Sequence, residues 1–453
     1  MPFKFIRELF KLGKMSGDEK QGSGDGGKQV TCLLIGAGNR GFGYAYYAVC
    51  YPEQFKIVGV ADPRDFYRKR VQDENKVSSE FVFKDWREAA EREKFAACVI
   101  IATPDNEHKG PAVAFAQKGY HILLEKPMAV TEEDCREIVT ACKDNKIVLA
   151  VCHVLRYMPW AYKIREIIES GEIGEVVNIQ HTEPVGFFHF AHSYVRGNWR
   201  NEKLSSNSLL AKCCHDVDLI KYWMGDSSKC VRVSSFGSLA HFRKEDKPQG
   251  AGDRCLDCSI ESQCPYSAKK IYLDAVKQGH TGWPVSVITE VPDIESVTEA
   301  LKSGPYGRCV YECDNDVMSQ QVSTFQFENG ATASLTMVAF SSRVCAREVK
   351  VYGTKGEITC DASHFPKVEV FDFLTQRKRE VECRSQGAMG RLAGHGGGDY
   401  LLIDSFVQAL RTGKENLVLT GADDTLASHL LVFAAEKARK NDCVVHINPD
   451  GTF

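Results

Sequence analysis

Near its start the chain places apolar residues in short continuous runs, and further on it lets them alternate with polar ones. From Gln29 the order is strand, turn, helix, repeated. Val30–Ile35 is β-branched and almost wholly apolar, as a strand buried on both faces of a parallel sheet requires. Residues 57–61, 96–102, 120–124 and 147–152 repeat that pattern. Residues 131–145 predict a helix that Thr131 caps, with Glu132, Glu133 and Asp134 in its first turn. Beyond residue 153, the segments 176–184, 231–238, 320–327, 331–340 and 348–352 read as strands, and Asn329-Gly330 between two of them is a hairpin signal. The order of elements predicts an α/β Rossmann domain, a doubly wound parallel sheet, over 29–152, and an α+β unit over 153–453.

The first strand ends in Gly36-Ala37-Gly38-Asn39-Arg40-Gly41 and a helical stretch with Tyr44, Tyr47 and Ala48 follows. Gly36 permits a tight turn, Gly38 lets backbone approach a pyrophosphate, and Gly41 lets the helix pack on the strand. The free N–H groups of the helix start then face phosphate. Asp62 closes the second strand, where a carboxylate takes ribose hydroxyls. Strand, loop, helix and acid together point to a nicotinamide dinucleotide. Asp62 favours NAD, since a carboxylate repels a 2′-phosphate; Arg64, two residues on, keeps NADP open. Thr103-Pro104 with His108, and Glu125-Lys126, also fall at strand ends, where ligands bind in such sheets.

Length and composition narrow the setting. With 453 residues, 43% of them hydrophobic, the chain can build more than one core. A formal net charge of −3 gives no reason to expect nucleic acid or an anionic membrane as partner. No unbroken apolar run of about 18 residues is present. Residues 1–28 read as a flexible leader, with Met15 as a working start. The basic amphipathic opening resembles a mitochondrial presequence, but Glu8 and the acids after it argue against one. A cytoplasmic protein is expected, and most of the 18 cysteines are expected to be buried thiols.

The glycine loop, Thr103-Pro104 with His108, Glu125-Lys126-Pro127, Arg156 with Pro159, His215 with Asp218, and Val351-Tyr352-Gly353-Thr354-Lys355-Gly356 together resemble the Gfo/Idh/MocA oxidoreductases, named for glucose–fructose oxidoreductase and inositol dehydrogenase. The resemblance implies a second domain with a large, mostly antiparallel open sheet, a sugar or polyol substrate, and a homo-oligomer, dimer or tetramer, formed through that sheet. It also implies that Lys126 lies beside nicotinamide and substrate, where an ammonium polarises the reacting oxygen. The family's proton relay pairs an aspartate with a histidine four residues later. His215 matches the histidine, but the aspartate position holds Ala211. Two readings stay open: Lys212 replaces the aspartate, or the relay is lost or re-purposed.

His153, Arg156, His189, His192, Arg196, Trp199 and Arg200 are grouped around the presumed pocket, with Arg156, His192, Arg196 and Trp199 as substrate contacts. Gly394 to Asp399 holds three consecutive glycines before a helix, and His395 is a further substrate contact. Residues 241–308 look like an insertion. In it, Cys255, Cys258 and Cys264 have metal-ligand spacing, read as structural zinc ahead of an iron–sulfur cluster, with a fourth ligand among His241, Cys230, Cys309, Cys313 and His280. The reading is an NAD(P)-dependent dehydrogenase or reductase acting on CH–OH groups. A glycosidase using NAD transiently, and a non-catalytic dinucleotide sensor, are the alternatives.

Overall fold

The computed structural model describes residues 28–225, 228–363, 365–383 and 390–453, so the expected leader lies, but for Lys28, outside the described residues. Six parallel strands form the first sheet: β1 (Val30–Ile35), β2 (Phe55–Ala61), β3 (Val82–Phe83), β4 (Cys98–Ile101), β5 (His121–Leu124) and β6 (Leu149–Val151), in the order β3-β2-β1-β4-β5-β6. The chain moves one way from β1 and returns to its other side at β4. The crevice beyond the carboxyl ends of those two strands is therefore the switch point of the fold. Helices cover both faces, which is why β1, β4 and β5 are buried almost end to end. Thr131 caps the helix Glu132–Asp144 by accepting from the Asp134 amide. The two-residue edge strand β3 is too short to leave a pattern in the sequence.

The second sheet has nine strands. They are β7 (Val176–Pro184), β8 (Cys230–Ser238), β9 (Gln320–Phe327), β10 (Thr332–Val338), β11 (Arg347–Gly353), β12 (Gly356–Ala362), β13 (Lys367–Asp372), β14 (Arg377–Val381) and β15 (Val445–His446). Their order is β14-β13-β12-β11-β7-β10-β9-β8-β15, and only β7 and β10 run parallel. Asn329-Gly330 makes the β9–β10 turn, with Gly330 at φ +85°. One face is covered by the helices Ser208–Met224 and Ala422–Asn441, and the other leaves the cross-strand pair Phe236 and Val322 exposed. By length and composition residues 415–441 are apolar enough to cross a membrane, though here Ala422–Asn441 is a core helix packed on β8 and on Ser208–Met224.

Between β8 and β9 the chain builds a separate small core from Cys255, Ala268, Tyr272, Leu273, Val297 and Tyr306. Two buried ion networks fasten the large sheet and its helices. Arg156 grips Asp218 with two nitrogens at 2.6 and 2.8 Å and reaches the Leu419 carbonyl at 2.7 Å. Arg347 pairs with Glu183 at 2.8 Å and Asp216 at 3.0 Å, and His181 lies 2.7 Å from the same Asp216 oxygen. Burial works against the Asp216 carboxylate, but Arg347 and His181 outweigh it and hold its pKa far below the ordinary range.

Removing one partner of a fully buried pair strands the other charge. Asp218→Ala is expected to cost about 3–5 kcal/mol of stability in urea unfolding, whereas replacing both Arg156 and Asp218 by apolar residues should cost markedly less. Equal losses would show that Arg156 is held by its other contacts.

Candidate functional site

The glycine loop has the geometry its residues predict. Gly36 sits at φ +85°, and a Cβ there would lie 2.4 Å from the Ala102 carbonyl oxygen. A Cβ on Gly41 would lie 1.9 Å from the Gly36 carbonyl oxygen. These two glycines serve the close approach of turn, strand and helix. Gly38 differs, since a Cβ there would meet only Arg64 Nη2, at 3.5 Å. The space in front of it is open, as approach to a ligand demands. Helix Asn39–Cys50 begins at Gly38 with no side-chain cap and no acidic residue in its first turn, so its N–H groups are available to phosphate. Thr103 Oγ1, at the end of β4, is buried without a hydrogen-bond partner on the same crevice. The chemistry of these donors fits a dinucleotide.

Asp62 is buried at the end of β2. It accepts from the Ala37 amide at 2.8 Å and, from Arg64, the amide at 2.9 Å, Nε at 3.0 Å and Nη2 at 3.0 Å. Burial pushes its pKa up, but these donors, Arg64 foremost, bring it below the ordinary value. The Arg64 guanidinium also lies 4.1 Å from the Tyr67 ring, which fixes it beside the carboxylate.

At the end of β5, Glu125 accepts from Arg40 Nε at 2.6 Å, Tyr44 hydroxyl at 2.9 Å and the Lys126 amide at 3.0 Å. Arg40 also forks onto Asp399 at 3.0 and 2.9 Å. Asp399 in turn holds His395 Nδ1 at 3.0 Å. The segment 390–399 therefore returns from the far end of the chain to lie over the glycine loop, with Arg391 stacked 3.8 Å from the Phe42 ring. Gly394 is required there, because a Cβ would lie 2.1 Å from Asp399 Oδ2. His108 holds the far side of the β5 turn, with Nδ1 2.7 Å from the Pro127 carbonyl and Nε2 3.0 Å from that of Thr103.

Lys126 donates to the Ala211 carbonyl at 2.6 Å. Its ammonium lies 6.0 Å from the Trp199 ring, and Trp199 Nε1 is anchored on Asp105 Oδ2 at 2.9 Å. His215 stands one helical turn after Ala211, on the same face. Its Nδ1 is buried and unpartnered. Its ring meets His153 edge-on at 5.4 Å between centroids and His395 at 6.4 Å. Burial first, then Lys126 and His153, depress the His215 pKa well below its ordinary value, so the imidazole is neutral. Behind it His153 meets His429 at 5.4 Å. His429 Nε2 accepts from the Met128 amide at 2.9 Å, so its Nδ1 carries the hydrogen donated to Thr425 O.

The structure thus brings Lys126, His215, Trp199 and His395 to one place beyond β5. It sends other expected site residues elsewhere. Lys212, read as a stand-in for the relay aspartate, turns away from His215 to Cys345 Sγ at 2.9 Å and Glu183 at 3.4 Å. Asp216 and Asp218 also serve Arg347 and Arg156, not His215. Arg156 is spent on Asp218. His192 is buried against Tyr272, 2.8 Å from its hydroxyl, and stacks on Tyr306; burial, then Arg196, pull its pKa down to about 3. Arg196 is buried among the backbone carbonyls of Arg308 and Tyr266. Both are buried against the 241–308 region, and that long-range packing leaves no trace in local sequence. The zinc expectation finds no support: among the described residues, no three His, Cys, Asp or Glu side chains converge as a metal ion requires. Asp105 under Trp199, Tyr44 on Glu125, and the Glu183–Arg347 pair are not foreshadowed in sequence. Asp105 and Tyr44 sit in or beside the sequence motifs, but their partners lie on distant segments, and only the fold joins them.

A parallel sheet with this loop, and a lysine and histidine at its mouth, define an NAD-binding oxidoreductase. Residues 30–153 match the family description "Oxidoreductase family, NAD-binding Rossmann fold", and residues 165–447 match "Oxidoreductase family, C-terminal alpha/beta domain". The chain belongs to the Gfo/Idh/MocA oxidoreductase family. It is 25% identical over 346 residues to the putative oxidoreductase YteT of Bacillus subtilis (strain 168), covering 72% of this chain and 75% of that one. It is 31% identical over 148 residues to 2,7-anhydro-N-acetylneuraminate hydratase of Escherichia coli (strain K12), covering 33% of this chain and 38% of the relative. With levoglucosan dehydrogenase of Pseudarthrobacter phenanthrenivorans it shares 30% over 151 residues, again 33% and 38% of the two chains. A solved levoglucosan dehydrogenase in complex with NADH and L-sorbose has the same fold, with TM-score 0.67 at 18% identity over 93% of this chain and 99% of that one.

Gly38→Ala is expected to leave the stability of the cofactor-free protein unchanged and to weaken NAD binding by at least about tenfold, or about 1.4 kcal/mol, in calorimetric titration. Gly41→Ala should instead destabilise the fold itself. Equal NAD affinity in Gly38→Ala and wild type would remove Gly38 from the phosphate site.

The neutral histidines also set an acid limit. Burial, with His153 next, holds the His429 pKa down to about 3, so the unfolded chain takes up this proton first as pH falls. Its contribution to stability is complete above the unfolded value of about 6.5 and shrinks below it. The urea midpoint should drop between pH 7 and pH 5, and His429→Gln should reduce that drop by up to about 2 kcal/mol. An unchanged pH profile in the variant would contradict this.

Proposed function

We propose that the chain interconverts a carbinol and a carbonyl on a sugar or polyol, with NAD as hydride carrier. The observation that carries this reading is the Lys126 ammonium. It is held on the Ala211 carbonyl at 2.6 Å, at the mouth of the dinucleotide crevice, one helical turn from a neutral His215. A backbone oxygen thereby orients the lysine where the family pattern has a carboxylate. Bound nicotinamide supplies a hydride acceptor or donor. Lys126 donates to the substrate oxygen and stabilises the charge that gathers there. His215, neutral and with Nδ1 enclosed, offers Nε2 for the proton that leaves the hydroxyl. Trp199, pinned by Asp105, presents an apolar face for a sugar ring.

The Asp62 carboxylate supports NAD over NADP by repulsion of a 2′-phosphate, although Arg64 neutralises part of its charge. A homo-oligomer formed through the outer face of the nine-stranded sheet would cover Phe236 and Val322. A second reading rests on the hydratase relative: oxidation is transient, with the hydride returned to the product each turnover.

Lys126→Met should retain NAD binding and lose about 10²–10⁴-fold in kcat across a panel of sugars, anhydrosugars and polyols followed by NADH absorbance. Product formation without net NADH would favour the transient reading. Wild-type protein that binds NAD and turns over none of the panel in either assay would overturn both.

A further inference from the structure

The cysteine motif in the segment between β8 and β9 has no part in the oxidoreductase chemistry. Its thiols nevertheless face one space. Cys255, Cys258, Cys264 and Cys309 line one cavity of about 190 Å³. Two short turns present the first three: Cys255–Asp257 carries Cys255 and ends at Cys258, and Glu261–Gln263 ends at Cys264. The fourth arrives from fifty residues on, because an antiparallel bridge between Arg254 and Arg308 sets Cys255 beside Cys309, whose amide donates to the Asp253 carbonyl at 2.8 Å. The other fourth ligands considered from sequence point elsewhere. His241 is engaged by the Tyr311 hydroxyl at 2.8 Å, Cys313 by the Cys309 carbonyl at 3.2 Å and Cys230 by the Arg232 carbonyl at 3.6 Å, while His280 is exposed.

Three properties of the cavity select its occupant. The first is size. Four thiolates on one zinc, at about 2.3 Å each, stand about 3.8 Å apart. Among the described residues no three ligands are arranged to hold a single metal ion, yet all four cysteines are free thiols around one space. The second is charge. Arg196 lines the cavity with its side chain fully buried. It touches Cys255 Sγ at 3.4 Å, its Nη1 is buried without a partner, and among the described residues no carboxylate pairs with it. A buried guanidinium with no counter-ion calls for an anion in the cavity. The third is the donors turned to sulfur. The Gly252 amide lies 3.4 Å from Cys258 Sγ, and the amides of Tyr266 and Tyr311 face the thiols two residues before them, Cys264 and Cys309. Amides aimed at sulfur stabilise cluster-bound thiolates.

We propose that Cys255, Cys258, Cys264 and Cys309 hold a [4Fe–4S] cluster, with Arg196 as its counter-charge. A cubane spreads its four thiolates wider than one ion does and fills a larger space. With four thiolates it is an anion. The geometry reverses the order of preference that spacing alone suggests. The cluster's place is structural. It ties the insertion to the turn Ala191–Arg196, which leads directly to Trp199 beside Lys126.

Full-length protein purified without oxygen, or reconstituted with ferrous iron and sulfide, is expected to carry about four iron and four acid-labile sulfide per chain, with a broad visible absorption that dithionite bleaches. Cys258→Ser and Cys309→Ser should lose most of the iron. Cys313→Ser, outside the cavity, should keep it with unchanged circular dichroism. Binding of one zinc per chain in place of iron, disulfides among these four cysteines in the anaerobic protein, or wild-type protein that takes up neither iron nor sulfide would each overturn the proposal. The wild-type measurement decides even if the variants misfold.

Discussion

Arg40 is the residue through which the site is assembled. One guanidinium, near the start of the first dinucleotide-facing helix, spans the Glu125 carboxylate at the end of β5 and the Asp399 carboxylate from the far end of the chain. Burial penalises both acids, and Arg40 holds both ionised. The arrangement is over-determined, since Tyr44 also donates to Glu125 and His395 to Asp399. Lys126 follows Glu125 directly. Its position therefore depends on a charge cluster whose members lie 359 residues apart in sequence. Without that cluster the glycine loop, the β5 turn and the closing segment would be three separate surfaces.

The parts of the fold that were legible in sequence are those set by local rules. Val30–Ile35 reads as a buried parallel strand because nothing in it is polar enough to face water. Thr131 reads as a cap because only its hydroxyl can take the Asp134 amide. Asn329-Gly330 reads as a turn because Gly330 needs positive φ. The site divides in the same way. Gly36, Gly38, Gly41, Asp62 and Lys126 are placed by the ends of strands, and strand ends are visible in a pattern. Arg156, His192, Arg196 and Lys212 are placed by partners on distant segments. A long polar side chain close in sequence to a pocket reaches whichever partner the tertiary structure offers, and here Asp218, Tyr272, the Arg308 carbonyl and Cys345 lie nearer.

Ala211 shows how a missing functional group is absorbed. With no carboxylate at that position, the Lys126 ammonium closes on the helix backbone instead. Lys212 finds its own acid in Glu183. That pairing balances the buried cluster, two carboxylates against Arg347 and Lys212, and leaves His215 without a charged neighbour on its own helix. Burial and the Lys126 charge keep the histidine neutral, and its ring contacts are other aromatic rings.

The helix Ala422–Asn441 packs on both sheets, touching β6 and β8, and His429 takes the Met128 amide just past the β5 turn. A strut shared by both halves forbids them to swing apart as independent lobes. The segment 390–399 is fastened separately, by Arg40 on Asp399 and by Arg391 on Phe42 and Glu74. The hold of that segment thus rests on partly open ion pairs, which salt weakens, while the shared helix is held by packing, which salt does not.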